Sequence, residues 1–285
     1  MQELLDAHLQ KTVKTPKSSR TETVCTKPMI PNGTEFSIKL AETADELYAA
    51  QRLRYRVFVQ ELGGSTDSAS AEKGLERDEY DTYFDHLILQ DKTLPKGDDV
   101  IGVYRLLRGD MAAHGARFYS VGEFCLDKIR NCGRNTVELG RSCVDKRYRN
   151  GAAMHLLWQG LADYVSVHGI EILFGVASFH GTDPATVSHG LSFLHHNYRA
   201  PDELRVSAHG ANAIAMDILS EKETDHATAL KQIPPLIKAY MRLGGAVGDG
   251  AFVDYDFNTI DVCLVMDSLR MSQKYKDFYT RPSAA

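Results

Sequence analysis

The sequence predicts an α/β (α+β) fold: a mixed central sheet with splayed parallel strands, flanked by helices and followed by a C-terminal extension. Three observations predict it. Short alternating or apolar runs recur from position 36 onward, separated by turn-forming residues; one long helical run, 150–169, stands between two apolar strands; and the strand before that helix carries a glycine between two charged residues. A strand, a helix and a second strand in succession make the two strands parallel neighbours, with the helix crossing one face of the sheet.

Residues 1–34, rich in Thr, Lys, Ser and Pro, offer few apolar anchors and read as a mobile arm, which leaves 35–285 as one domain. "FSIKLA" is the first strand. "TADELYAAQRLRYRVFVQEL" is a helix, with Thr43 and Glu46 spaced as a capping box. "FDHLILQD" and "DVIGVYRLLRG" are strands around a "KTLPKGDD" turn, and "NTVELGRSCVD" is a further strand. "NGAAMHLLWQGLADYVSVHG" places Leu157, Leu161, Tyr164 and Val165 at helical spacing and stops at Gly169, and "IEILFGVAS" is a buried strand. Beyond a short helix in "HGTDPATVSHGLSFLHHN", the extension carries a helix at "TALKQIPPLIKAYMRLGG", started or kinked by Pro234 and Pro235, then strands "GAFVDYDF" and "TIDVCLVMD".

Composition narrows the function. The 285 residues are 43% hydrophobic with a net charge of -5, so a sizeable core is expected and a generic nucleic-acid binder is not. No apolar run approaches the roughly 18 residues of a membrane span, and Glu3, Asp6 and His8 interrupt any leader core, so a cytoplasmic protein is expected. The five cysteines, Cys25, Cys125, Cys132, Cys143 and Cys263, lie far apart and should be free thiols.

The informative stretch is "TVELGRSCVDKRYRNG", positions 136–151. On an unbroken strand Glu138 and Arg141 point to opposite faces; a bulge near Gly140 would change that. If this strand then splays from "IEILFGVAS", backbone amides around Ser142 and Cys143 become available to an extended ligand or an oxyanion. Lys146, Arg147 and Arg149, followed by Gly151 and Ala153 at the start of the crossover helix, make an anion site that a phosphate can approach closely. The alternative is a structural Glu138–Arg141 ion pair and a solvated basic turn.

Order and spacing here resemble the Gcn5-related N-acyltransferase superfamily, although the match to its Q/R-x-x-G-x-G/A signature is partial, with Tyr148 in the first position and Gly151 and Ala153 in the others. Four segments, "LRYRVFVQELG", "ERDEYD", "IGVYRLL" and "VELGRSCVDK", resemble the acyl-homoserine-lactone synthases, which draw acyl groups from acyl carrier protein; Gly64 stands where those carry a tryptophan. With "LWQGLADYV", "FGVASFHGTDP", "IPPLIKAYMRLGG" and "VGDGAFVDYDFNTIDVCLVM" added, the chain is more similar to the ornithine-acyl carrier protein N-acyltransferases of ornithine lipid biosynthesis, over about 36–280.

That resemblance implies transfer of a (3-hydroxy) fatty acyl group from the phosphopantetheine arm of acyl carrier protein to the α-amino group of ornithine, without a permanent cofactor or metal. An amino acid's amine is largely protonated at neutral pH, so the reaction needs a base. Glu138 is the candidate, with Arg141 orienting it or a partner carboxylate and amides near Ser142 and Cys143 as oxyanion donors. Asp78, Asp81 and Asp85 are candidates for the acceptor's cation, and Arg54 or Arg105 for its carboxylate. The alternative for Asp81 and Arg105 is a buried structural pair. Phe58 and Phe124 are expected as apolar wall, the kind of surface that lines an acyl tunnel. Lys146, Arg147 and Arg149, with Lys128, Arg130 and Arg134 upstream, should form the carrier's docking surface, and Lys11, Lys14, Lys17 and Arg20 of the arm a reversible contact with the inner membrane.

Three other readings stay open. Glutamine as acceptor uses the same chemistry, a homoserine-lactone synthase shares the donor, and a non-catalytic lipid-binding module would keep the fold alone. Cys143 as a covalent nucleophile lacks an adjacent base, and His86 is a second group for proton handling. His180, His189, His195 and His196 have no ligand spacing.

Overall fold

The computed structural model describes residues 35–113, 116–149 and 151–270, so the expected arm, with Cys25, lies outside them. In chain order the elements are β1 (Phe36–Leu40), α1 (Ala44–Arg54), α2 (Ser68–Glu72), β2 (Asp85–Asp91), β3 (Val100–Arg108), α3 (Gly109–Ala113), β4 (Phe124–Cys125), α4 (Asp127–Arg130), β5 (Thr136–Val144), α5 (Ala152–Val167), β6 (Ile172–His180), α6 (Ser188–Asn197), β7 (Ser207–Ala208), β8 (Ala213–Ile214), α7 (His226–Gln232), α8 (Pro235–Arg242), β9 (Ala246–Val247), β10 (Ala251–Asp254) and β11 (Thr259–Asp267).

Local chemistry accounts for the boundaries. The Thr43 hydroxyl accepts from the Glu46 amide while the Glu46 carboxylate accepts from the Thr43 amide, the reciprocal cap that starts α1. The same helix runs on as a wider π-helical turn over Tyr55–Glu61. Pro235 occupies the first turn of α8 and Ile233 ends α7, so the expected single helix is two, separated where Pro234 withholds its amide.

The strands form one sheet in the order β1-β2-β3-β5-β6-β11-β10-β8, with β9 also on β11, and β4 and β7 make a separate ribbon. All pairings within β1 to β5 are antiparallel, and β5 runs parallel to β6 across the α5 crossover. Helix α5 buries Leu156, Leu157, Gly160, Leu161 and Tyr164 on one sheet face. At Gly160 a side chain would collide with Ile38, so the glycine sets how closely helix and sheet approach. The opposite face is covered by α1 and by residues 116–126 and 200–208, whose apolar side chains form two smaller cores.

The parallel pair is short. Thr136, Val137 and Glu138 pair with Ile172, Leu173 and Phe174; beyond them β5 stays on β3 and β6 stays on β11, so the two strands part. Two features sit at that fork. The β3–β5 register slips between Val103 and Arg105, opposite Cys143 and Gly140, and Arg141 takes a left-handed φ of 48°: the bulge expected near Gly140. Across the fork, a Cβ on Gly175 would lie 2.1 Å from the Leu139 carbonyl oxygen, so only glycine fits where the backbones come closest.

Candidate active site

Two cavities flank the fork and share the residues at it. On the α5 side lies a narrow apolar cleft of about 40 Å³, walled by Tyr104, Leu173, Leu236, Tyr240, Leu264 and Met266. On the other side lies a cavity of about 250 Å³ with a mixed lining that includes Phe58, Tyr119, Glu138, Arg141, Phe257 and Asp261. Leu139, Gly140, Ser142, Val176, Ala177 and Leu236 border both. A molecule reaching through would meet the β5 backbone at 139–142, the edge that β6 has stopped pairing.

Glu138 belongs to this cavity, but its partners are not those expected. Its carboxylate is 1% exposed and accepts from the Tyr119 amide at 2.8 Å, the Ser120 amide at 2.7 Å and the Ser120 hydroxyl at 2.5 Å. Burial raises its carboxyl above the ordinary value, and the Ser120 and Tyr119 hydrogen bonds oppose that rise. No ion pair joins it to Arg141. The bulge brings Arg141 to the same cavity and then turns its guanidinium to Glu76 at 3.1 Å and Asp78 at 3.2 Å, between the rings of Tyr119 and Phe257.

Arg54 and Arg105 complete a buried ion network that displaces their expected role. Arg54, with no exposed surface, donates to Glu76 and to Asp81 at 2.6 Å; Arg105, equally buried, donates to Asp78 at 2.6 Å and Asp81 at 2.9 Å. Gln51 adds a bond to Asp81 at 2.9 Å. Three arginines thus face three carboxylates, tying α1, the 76–81 segment, β3 and β5 together. Burial alone would raise these acids, but the charges of Arg54 and Arg141 hold Glu76 down at about 2, and those of Arg54 and Arg105 hold Asp81 well below the carboxylate range. With both guanidinium groups engaged in this way, neither Arg54 nor Arg105 presents a clamp to a substrate carboxylate. Asp78 and Asp81 are likewise occupied by the chain's own cations, the structural alternative noted for Asp81 and Arg105.

Other expected positions divide. Phe58 lines the cavity and meets Phe257 edge to face, with ring centroids 6.3 Å apart. Phe124 does not; it is buried in the core beneath the β4–β7 ribbon. Asp85 lies elsewhere, accepting from the Tyr164 hydroxyl of α5 at 2.7 Å. Ser142 borders both sides of the fork, whereas the Cys143 side chain packs under α1, where burial pushes its thiol up to about 12 and removes it as a nucleophile. His86 is buried with Nε2 3.1 Å from the Asp81 carbonyl oxygen, and burial lowers its pKa, which makes it part of the scaffold.

Lys146, Arg147 and Arg149 are exposed on the turn between β5 and α5. Arg147 is braced by Asp145 at 2.9 Å and Arg149 by Glu61 at 2.7 Å. Gly151 caps α5 with a φ of 96°, a conformation suited to glycine, while the Ala153 methyl is buried in the core. Lys128, Arg130 and Arg134 are not on this surface. They precede β5, whose nine residues separate its two ends by about 27 Å. Lys128 is bonded to the Asp202 carbonyl and Arg134 to both oxygens of Asp267.

Two of the residues lining this cavity, Asp254 and Asp261, belong to a carboxylate cluster that sequence reasoning missed. One oxygen each from Glu123, Asp254 and Asp261 lie within 4.8 Å of one another, a set that can hold a cation. Burial, then Asp261 and Asp254, push Glu123 up to about 9; burial and Asp254 push Asp261 up to about 6 against a hydrogen bond from Ser178. The signal was an acid set among apolar residues in each of two strands, Asp254 in "AFVD" and Asp261 in "TIDVCLVMD", on the sheet face that Glu138 shares. Among the described residues the cysteines are free thiols, and no helix is long and apolar enough to cross a membrane.

Residues 53–159 match the family model of an acetyltransferase (GNAT) domain. The chain is 52% identical to an L-ornithine N(alpha)-acyltransferase of Rhodobacter capsulatus over 86% of its length and 95% of that protein. It is 40% identical to the protein of that name from Brucella abortus, over 86% of this chain and 88% of that one. A solved acyl-homoserine lactone synthase, the CoA-dependent BjaI with MTA, aligns at a TM-score of 0.48 with 16% identity, covering 87% of this chain and 88% of its own. With half its residues shared along almost the whole of a curated relative, and with strands that part at a bulge inside an acyltransferase domain, the chain belongs to the L-ornithine N(alpha)-acyltransferase family.

Proposed function

We propose that the protein transfers a 3-hydroxylated fatty acyl group from the phosphopantetheine thioester of acyl carrier protein to the α-amino group of ornithine, giving lyso-ornithine lipid. One observation carries the reading: the fork between β5 and β6 lies between an apolar cleft and a cavity that presents Glu138, Arg141, Asp254 and Asp261, and the same β5 residues border both, as the meeting of an acyl thioester with an amino acid requires. The relatives' shared name supplies the acceptor.

The thioester enters along the apolar side, its carbonyl reaching the β5 backbone at Gly140 to Cys143. The neutral α-amine attacks the carbonyl carbon, and backbone amides of the splayed edge stabilise the oxyanion. The amine's proton passes to Glu138, directly or through a water, collapse breaks the C–S bond, and Glu138 returns that proton to the departing thiolate, so the carrier arm leaves as its thiol. Burial raises the Glu138 carboxyl against its hydrogen bonds from Ser120 and Tyr119, the direction that makes its carboxylate a stronger base. Arg141, held by Glu76 and Asp78 at the cavity wall, contributes positive charge near the acceptor's carboxylate and not a free clamp. Lys146, Arg147 and Arg149 receive the acidic carrier and its phosphate at the start of α5, and the lipid product drains to the inner membrane surface.

Incubating the purified protein with 3-hydroxyacyl carrier protein or the matching acyl-coenzyme A, and with ornithine, glutamine or S-adenosylmethionine, tests this by product mass. Acyl-ornithine from the carrier is expected. Equal use of the coenzyme A thioester would remove the carrier, and an acyl lactone or acyl-glutamine would remove ornithine.

A further inference from the structure

We infer that Glu123, Asp254 and Asp261 form the subsite for the side-chain ammonium of the acceptor, selecting a diamino acid over neutral amino acids of the same size. The inference rests on the acyl-transfer reading above and names what that reading lacks, because Asp78, Asp81 and Asp85 are all engaged elsewhere.

Placement comes from the strand register. Glu138 stands opposite Phe174, and Phe174, Val176 and Ser178 alternate onto one face of β6. Asp261 stands opposite Ser178, Phe252 opposite Asp261, and Asp254 two residues after Phe252, so both aspartates share the face of Glu138. Glu123 descends onto that face from the segment whose Tyr119 and Ser120 hold Glu138. Asp254 and Asp261 line the cavity that Glu138 and Arg141 also line.

The cluster is built for a cation that the protein does not itself provide. Glu123 and Asp261 are 5% and 3% exposed, yet Glu123 Oε2 and Asp261 Oδ1 have no hydrogen-bond partner. Arg141, whose charge these acids feel, is spent on Glu76 and Asp78. Without a cation the buried Glu123 and Asp261 are pushed toward their protonated forms and keep an unpartnered oxygen each, while Asp254 Oδ1 caps the turn at Asp256 and Phe257; a compact ammonium with its three donors supplies the missing charge and partners. Size agrees: three oxygens within 4.8 Å of one another leave a central atom up to about 2.8 Å from each, the length of an ammonium–carboxylate hydrogen bond. A magnesium ion would need them to close to about 2.1 Å. The arrangement also sets regiochemistry, because an amine held here as ammonium has no lone pair to attack with, which leaves the α-amine as nucleophile.

The test uses the full chain with Asp254→Asn and Asp261→Asn, assayed on ornithine and on norvaline, which keeps the carbon skeleton and lacks the terminal amine. Wild type should prefer ornithine, and each variant should lower kcat/KM for ornithine by about 10- to 100-fold while norvaline changes far less, so the preference collapses. Calorimetric binding of the two amino acids should show the same loss; if Asp261→Asn does not fold, the half-buried Asp254 carries the test. An unchanged ratio, with both acceptors falling together, overturns the inference and leaves the transfer reading standing. Loss of activity on chelation, restored by Mg²⁺ or Ca²⁺, overturns it in favour of a metal. A wild-type protein that acylates neither amino acid overturns the transfer reading itself.

Discussion

Replacing Glu138 by Gln probes the proposed base and its scaffold together. One carboxylate oxygen accepts from both the amide and the hydroxyl of Ser120, and the other accepts from the Tyr119 amide. Glutamine has a single acceptor oxygen. If that oxygen takes the Ser120 pair, the new NH₂ group faces the Tyr119 N–H, donor against donor, in a position 1% exposed. A hydrogen bond to a charged group contributes about 1.5–3 kcal/mol and a stranded buried donor costs about 1–3 kcal/mol; these overlap, so the expected loss is about 2–4 kcal/mol. At about 2–4 °C per kcal/mol the melting point falls by about 5–15 °C, leaving the variant folded at 25 °C. Turnover should fall by about 10²- to 10⁴-fold at neutral pH. Because the Glu138 carboxyl is raised, wild-type activity should climb as pH rises through its titration, and the variant's deficit should shrink where the substrate amine is already neutral. Single-turnover acyl transfer at neutral and high pH, with a melting curve on the same sample, reads both effects. A folded variant with near-normal neutral turnover would remove Glu138 from the base role, and an unchanged melting point would refute the three-donor cradle.

Three further outcomes are expected. Asp81→Asn leaves Arg54 and Arg105 buried without their shared counter-charge and should cost about 3–5 kcal/mol in urea unfolding; a loss below about 1 kcal/mol would contradict a closed network. Glu76, held at about 2 when folded, stabilises the fold above its ordinary value of 4.5, and this contribution should be lost as pH falls from about 4.5 to 2; stability flat across that window would contradict the assignment. For the donor and the membrane, Arg147→Ala with Arg149→Ala should raise KM for the acyl carrier and flatten its salt dependence, while deleting residues 1–34 should spare single-turnover transfer and reduce co-sedimentation with anionic liposomes at low salt. Unchanged kinetics in the first case, or unchanged sedimentation in the second, would remove those surfaces.

Local signals in the chain carried the scaffold. The Thr43–Glu46 box, the helix between two apolar strands and the glycine beside Arg141 each act within a few residues and appear in the structure as read, while Pro234 and Pro235 divide the expected single helix into two. The site's partnerships were not legible because they join distant segments. Glu138 is satisfied by Tyr119 and Ser120 from a turn without a distinctive pattern, and not by Arg141, which the bulge hands to Glu76 and Asp78. Either Arg54 or Arg105 reads as a clamp in sequence, with a buried Asp81–Arg105 pair as the alternative, and their total burial beside Glu76 and Asp81 decides for the scaffold. The carboxylate cluster is assembled from positions 123, 254 and 261, which only the β10–β11 register and the covering segment bring within reach of one another.

The most direct measurement is the attachment site of the acyl group in the product formed from 3-hydroxyacyl carrier protein and ornithine labelled with ¹⁵N at the α-position. Fragment masses should place the new amide on the labelled nitrogen, with the side-chain amine free. Acylation of the side-chain nitrogen, or release of free fatty acid with ornithine unmodified, would contradict a site in which the α-amine meets the thioester at the fork of β5 and β6.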